Sequence, residues 1–272
     1  MIDIVGIAET NEEIAPGYRL LRLALNQDVE VRPGQFAMLK PRGVFEPLLR
    51  RALAVYRVDG PRRVSFLFQV LGRGTEALAQ IGEGGEIETL LPLGNSWPIP
   101  SNEERAIVVA GGIGSASVLM LCEVLKQAGV DTRVFFGAAN ARAAAGCGLE
   151  DFRAYGFPLV LSTVDGSSGE RGFVTAPLER LLKEGGGRGA TICACGPWGM
   201  MKRVAELAEE FEVRCIVSLE APMGCGFGVC VGCVVEVKTD GPLGYGSYKR
   251  VCTDGSIFNA KSVRWDISAV GH

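Results

Sequence analysis

The chain has one histidine, His272. A histidine base, a Ser–His–Asp arrangement or a nitrogen-ligated metal centre therefore has almost nothing to draw on. It has no basic block either. Its 28 Lys and Arg stand against 31 Asp and Glu for a net charge of −3, so nucleic acid is not an expected partner. The first residues, Met1-Ile2-Asp3-Ile4-Val5-Gly6, show no basic n-region and no cleavage-site pattern, and no signal peptide is expected. An unbroken apolar run of membrane-spanning length is also missing. The longest, Ala106 to Leu125, is interrupted by Gly111, Gly112, Gly114, Ser115 and Ser117, which reads as strand, glycine turn and buried helix rather than a span. Nine cysteines without export signals point to a reducing cytoplasm, where thiolates serve metals rather than disulfides.

What the chain does have is cysteine concentrated in one stretch. Four of the nine fall as Cys225-x4-Cys230-x2-Cys233-x18-Cys252, the spacing with which plant-type ferredoxins hold a [2Fe–2S] cluster. Glycine occupies 224, 226 and 228, which lets a loop bend tightly around thiolates and turn its N–H groups toward the sulfurs. A tetrahedral zinc site is the competing reading, but zinc usually pairs two short Cys-x2-Cys knuckles. Here the fourth cysteine stands alone after a hairpin-like insert, Lys238 to Arg250. Cys122, Cys147, Cys193 and Cys215 have no ligand spacing and read as core thiols.

The 272 residues, 47% of them hydrophobic, suffice for two domains and an appended module. Up to Val70, short alternating segments separated by turn signals begin at Tyr18, Pro33, Arg51 and Val64, as expected of a small antiparallel barrel. Gly72-Arg73-Gly74-Thr75 then opens a short helix, either an ordinary turn or a phosphate-holding helix start. From residue 100 the pattern changes to strand and helix in alternation, the mark of a doubly wound parallel sheet. Apolar runs at Ala106–Ala110, Thr132–Phe136, Leu159–Ser162, Thr191–Ala194 and Arg214–Val217 alternate with helical patterns at Ser115–Leu125, Val174–Lys183 and Met200–Phe211. Two strand ends are glycine-rich, Gly111-Gly112-Ile113-Gly114 and Cys195-Gly196-Pro197. Neither is the G-x-G-x-x-G fingerprint, so a nucleotide site and a plain βα turn both remain open. Asn140 and Arg142 follow the second strand, and Asp165-Gly166-Ser167 forms a turn that reads as a loop or as a ribose contact. The expected fold is β plus α/β, divided into a barrel at 1–99, an α/β domain at 100–217 and a cluster module at 218–272.

The order Pro33-Gly34-Gln35-Phe36, Arg51-Ala52-Leu53-Ala54, Gly72-x-Gly74-Thr75, Gly-Gly-Ile-Gly and Cys-Gly-Pro-x-x-Met-Met resembles the ferredoxin reductase family. The resemblance implies FAD on the barrel and NAD(P) on the α/β domain. It makes Arg51 the pyrophosphate-binding arginine and places Ala52, Leu53, Ala54, Leu67, Phe68, Gln69, Gly72, Gly74 and Thr75 around the flavin. It places Gly111, Gly112, Gly114, Cys195, Gly196 and Pro197 at the dinucleotide, Cys195 as a small residue beside the nicotinamide or as a reactive thiol. With Glu220-x-x-Met223-x-Cys225-Gly226-x-Gly228-x-Cys230-x-x-Cys233, and Cys252 followed by Asp254-Gly255-Ser256-Ile257-Phe258, the whole chain is similar to the electron-transfer subunits of NAD-dependent dihydroorotate dehydrogenases. That implies a relay from an FMN-containing catalytic partner through [2Fe–2S] and FAD to NAD+, in a heterotetramer of two subunits of each kind. Relatives of similar build serve ferredoxin:NADP, sulfite reductase and hydrogenase complexes. Ala54 in place of Ser or Thr, Val164 in place of an acidic residue, and the longer Cys233-to-Cys252 insert depart from the family pattern.

Overall fold

The computed structural model describes residues 1–101, 104–239 and 244–266. His272 and the tip of the insert before Cys252 lie outside the described residues. Seven strands form one antiparallel sheet: β1 (Ile2–Ala15), β2 (Tyr18–Ala24), β3 (Phe36–Pro41), β4 (Arg51–Ala54), β5 (Arg57–Val58), β6 (Arg63–Gln69) and β7 (Glu86–Leu93), in the order β4-β3-β7-β1-β2-β6-β5. The end strands β4 and β5 are separated by two residues, and these close the sheet into a barrel. Val55 N donates to Gln35 O beside β3 at 3.0 Å, and Tyr56 N donates to Ser65 O on β6 at 2.8 Å. Alternation fills the inside with Leu21, Leu23, Ala37, Leu39, Phe66, Phe68 and Ile87, and helix α1 (Arg73–Ala79) follows β6. Strands β1 and β7 are the two that residue pattern alone does not single out.

The second sheet is wound from β8 (Arg105–Gly111), α2 (Ser115–Gln127), β9 (Asp131–Ala138), α3 (Ala141–Gly146), α4 (Leu149–Ala154), β10 (Leu159–Thr163), β11 (Glu170–Arg171), α5 (Thr175–Lys183), β12 (Ala190–Cys195), α6 (Trp198–Glu210) and β13 (Arg214–Ser218). The cysteine-bearing segment adds β14 (Val234–Glu236), β15 (Tyr248–Arg250) and β16 (Ile257–Asn259). Strand order is β11-β10-β9-β8-β12-β13-β16, parallel throughout except where β16 pairs antiparallel with β13. Strand β8 is buried on both faces, which is why Ala106–Ala110 carries no polar alternation. Helix α2 is buried nearly all round because it is a wedge: Leu119 packs on the sheet while Met120 enters the barrel core. The opposite face of the sheet, under α5 and α6, shares one core with Met38 and Leu90 of the barrel and with Cys233, Val235, Val251 and Cys252. No described helix is long and apolar enough to cross a membrane.

Three sets of contacts fix the barrel, the sheet and the cysteine segment against one another. Tyr56 OH donates to Asp151 Oδ2 at 2.6 Å, and Arg57 Nη2 donates to Asp151 Oδ1 at 3.2 Å. Burial and the Asp151 charge push the Tyr56 phenol far up, so it stays a donor. Trp97 Nε1 donates to Ser117 O at 2.9 Å, anchoring the linker to α2. Asn95 bonds the backbone of β16 at both of its side-chain atoms: Ile257 N donates to Oδ1 at 2.8 Å and Nδ2 donates to Ile257 O at 2.9 Å. Asn95→Ala is expected to lower stability by about 2 kcal/mol, two hydrogen bonds' worth. Urea unfolding checks this, and a change near zero would mean that the linker contact is dispensable.

Candidate functional site

Each cavity of the site begins where a glycine allows a close approach. At the start of α1, a Cβ on Gly74 would lie 1.8 Å from Arg51 Nε, so only glycine lets the guanidinium lie across the turn. Arg51 Nη1 donates to Leu49 O at 2.9 Å, which holds the side chain over the helix start. The Thr75 hydroxyl accepts from Leu71 N at 2.9 Å and donates to Gly72 O at 3.0 Å, so it closes the turn. Beside it lies a cavity of about 330 Å³. Ala52, Leu53 and Ala54 of β4, Leu67, Phe68 and Gln69 of β6, and Thr75 line it. Arg51, Gly72 and Gly74 stand at its edge rather than in its wall. Sequence reasoning missed the opposite wall, Ser117 of α2, Ser218 of β13 and the run Leu219 to Met223. Within that run the sequence marked only Glu220 and Met223, as the start of the cysteine motif, and not as a cavity wall. The run faces the barrel only because β13 ends there.

A second cavity, of about 670 Å³, opens along the carboxyl ends of β8, β9 and β10. It shares Gln69 and Ile113 with the first, so the two meet at one point. Gly111, Gly112 and Pro197 line it, whereas Gly114, Cys195 and Gly196 lie behind it. The reason is packing. A Cβ on Gly114 would fall 2.6 Å from Gly196 N, and one on Gly111 would fall 2.4 Å from Met200 Sδ. The two glycine turns are thus pressed backbone to backbone. Gly112, with φ +54°, faces open space. Cys195 is fully buried, and burial, then the Glu220 charge, raise its thiol, which removes the reactive-thiol option. The Asn140 side chain accepts from Ala143 N at 2.9 Å and caps α3. Asp165 Oδ1 accepts from Ser167 N at 2.9 Å, and the Ser167 side chain and backbone hold that carboxyl below its ordinary value. Val164 and Phe173, which flank that turn, line the cavity instead.

Cys225, Cys230 and Cys233 lie in a loop seated on the barrel, and Cys252 lies on a segment beside it. Gly226 (φ +81°) and Gly228 (φ +91°) take left-handed backbone, as does Val231 (φ +54°), an unusual state for a β-branched residue. A Cβ on Gly226 would meet Met38 Cγ at 2.4 Å, so glycine allows the loop to sit directly on β3. Arg250 ties the loop to the segment carrying Cys252: its Nη1 donates to Gly228 O at 3.1 Å, and Val251 N donates to Cys233 O at 2.8 Å. The thiols meet in two pairs, Cys225 with Cys230 and Cys233 with Cys252. Two thiolates per iron is the arrangement a [2Fe–2S] cluster takes. Burial opposes ionisation of Cys225, but the N–H groups of Cys230, Phe227 and Val229 and the Cys230 side chain bring it down to about 7. Burial, then the neighbouring Cys233 thiol, push Cys252 up to about 12. The loop's donors therefore point at a sulfur, which suits an anionic cluster. Met223, two residues before Cys225, lines the first cavity and connects it to the loop.

Comparison with known proteins agrees with this layout. Residues 220–264 match the iron-sulfur cluster binding domain of dihydroorotate dehydrogenase B. The chain is 36% identical over 262 residues to the dihydroorotate dehydrogenase B (NAD(+)) electron transfer subunit of Geobacillus kaustophilus, with 94% of each chain covered. It is 32% identical to that of Clostridium acetobutylicum, with 88% of this chain and 89% of the relative covered. Among solved structures, that of an NADH-dependent reduced ferredoxin–NADP oxidoreductase, described for flavin-based electron bifurcation, superposes with a TM-score of 0.82 at 29% identity, covering 96% of this chain and 90% of that one. A ferredoxin NADP+ reductase from Neisseria gonorrhoeae with bound FAD and NADP shares the fold at a TM-score of 0.63 and 15% identity, over 77% of this chain and 91% of that one.

In the metal-free chain, carbamidomethylation of Cys225 is expected to rise with pH around a midpoint near 7, while the buried Cys193 and Cys195 label only on unfolding. Mass mapping of labelled peptides checks this. A Cys225 midpoint in the ordinary thiol range would mean that the loop amides do not aim at its sulfur.

Proposed function

Because the chain belongs to the family of dihydroorotate dehydrogenase B electron-transfer subunits, we propose that it relays electrons from dihydroorotate, oxidised at FMN on a separate catalytic subunit, to NAD+ in pyrimidine biosynthesis. When bound, FAD joins the one-electron [2Fe–2S] cluster to the two-electron nicotinamide, since a flavin handles either number. Arg51, with its planar fork, and the amides at Gly74 and Thr75 would hold the FAD pyrophosphate, with Gly72 closing the turn through its own amide to Thr75 Oγ1 at 3.2 Å. Ala52, Leu53, Ala54, Leu67, Phe68 and Gln69 line the isoalloxazine. Gly111, Gly112 and Pro197 lie under NAD, with Gly114, Cys195 and Gly196 packed behind to keep that floor thin. Cys225, Cys230, Cys233 and Cys252 ligate the cluster. We keep the division 1–99 for FAD, 100–217 for NAD and 218–272 for the cluster.

The observation that carries this reading is the meeting of the two cavities at Gln69 and Ile113, with Met223, two residues before Cys225, in the wall of the first. A nicotinamide at that junction would lie against the flavin cavity, both cavities being walled mainly by apolar side chains. On the far side, exposed Phe227, Val229 and Val231 surround the exposed Cys230, a surface suited to the catalytic subunit in a heterotetramer of two subunits of each kind. The free thiols support a cytoplasmic setting. The likeness to the ferredoxin–NADP oxidoreductase favours a second reading, in which the same relay serves an electron-bifurcating partner.

The deciding experiment is anaerobic NAD+ reduction by the chain co-purified with an FMN-bearing dihydroorotate dehydrogenase subunit, dihydroorotate being the only donor. NADH formation that disappears in Cys230→Ser is expected. A chain that carries flavin and cluster and oxidises NADH, yet neither binds that subunit nor reduces NAD+ from dihydroorotate, would favour the second reading. Gly74→Ala, which displaces Arg51 from the helix start, is expected to fold but to lose most of its FAD on gel filtration. Retention of one flavin per chain would remove Arg51 from the pyrophosphate site.

A further inference from the structure

A third cavity, of about 310 Å³, lies on the outside of the barrel and shares no lining residue with the other two. Arg22, Arg57 and Arg63 stand in its wall. Sheet register explains why they gather there. Ser65 on β6 pairs with Arg22 on β2 and with Arg57 on β5, so the three form one cross-strand row of arginine, serine and arginine. Val64 and Phe66, on either side of Ser65, belong to the barrel core, which turns the row outward.

The polar groups of this wall are only partly matched. Glu9 falls where the β1–β2 register shifts between Ala8 and Thr10, and the bulge brings it to Arg63, whose Nε donates to Glu9 Oε1 at 2.8 Å. Arg57 Nη2 donates to Asp151 of α4 at 3.2 Å. The Asp59 carboxylate adds its charge beside Arg63. Among the described residues no hydrogen bond or ion pair reaches the Arg22 side chain. Ser65 is 4% exposed, and its hydroxyl has no described partner although the residue lines the cavity. A buried hydroxyl without a partner is costly, and a ligand that brings an acceptor removes that cost.

The row also selects the shape of the acceptor. Arg22 and Arg57 are two strand spacings apart, about 10 Å between backbones, with a hydroxyl midway, so donors converge from three directions. A tetrahedral phosphate accepts from all three at once, whereas a flat carboxylate is satisfied by a single guanidinium fork. The cavity has the size of a small ligand site, with room for a short carbon frame beside the phosphate.

We propose that this cavity binds the phosphate group of a small phosphorylated metabolite, held between Arg22 and Arg57 over the Ser65 hydroxyl. It is separate from the flavin, nucleotide and cluster sites. Because Arg57 also holds Asp151, occupancy is felt where the barrel meets α4, while Tyr56 keeps its own bond to Asp151.

Calorimetric titration of the flavin- and cluster-loaded chain with ribose 5-phosphate tests it, NAD+ being present throughout to fill the second cavity. One saturable site per chain is expected. Arg22→Ala, at an exposed position, should weaken it roughly tenfold. Glu9→Gln, which removes a negative charge from the wall and frees Arg63, should tighten it. Asp151→Asn, which frees Arg57, should tighten it too. Flavin and cluster absorbance retained at wild-type ratio shows that each variant is folded, and acetate at the same concentration should not compete. No saturable binding to the wild-type chain, unchanged affinity in Arg22→Ala, weaker binding in Glu9→Gln, or displacement by acetate overturns the inference, and none of these outcomes bears on the relay.

Discussion

Asn95 and the backbone of Ile257 are 162 residues apart in sequence and share two hydrogen bonds. The rest of the arrangement depends on that constraint. Asn95 belongs to the linker leaving the barrel, and Ile257 begins the strand that completes the parallel sheet. Cys252 lies five residues before Ile257, so the bonds that seat this strand also hold the Cys252 segment beside the barrel. Ser256 Oγ, which donates to Gly34 O at 3.3 Å, adds a third tie at the same corner. A two-electron carrier and a one-electron carrier communicate only at short range, and this corner keeps the range short.

Glycine plays two separate parts at the strand ends, and the sequence does not distinguish them. Gly111, Gly114 and Gly196 are small because two turns press together, whereas Gly112 is exposed to the cavity with a left-handed backbone. A motif of glycines is thus partly a packing device, and only geometry shows which member faces a ligand. Gly74 is a third case, where the neighbour that needs the space is the Arg51 side chain.

The order of barrel, doubly wound sheet and cluster segment was legible because each has a different period: alternation in β2 and β6, a continuous apolar run in β8, and cysteine spacing at 225–252. Strand β1 was not singled out because residues 9–13, Glu-Thr-Asn-Glu-Glu, are polar on both faces. They pair with β2 where the ribbon leaves the core. The inner wall from Leu219 to Met223 was legible only as Glu220 and Met223 ahead of the cysteines, not as a wall, because it is a connection with no period, placed by the strand before it and the cysteines after it.

The antiparallel strand β16 also imposes an order on biosynthesis. Until residues 257–259 leave the ribosome, β13 presents an open sheet edge, the kind of template that recruits other chains. The long-range pairing that covers it closes late. Cys252 emerges just before that strand, so the segment that carries it and the strand that seals the edge appear together. With Cys252 as the proposed fourth ligand, a chain stalled before residue 257 leaves the β13 edge uncovered and the segment that carries this ligand without its strand.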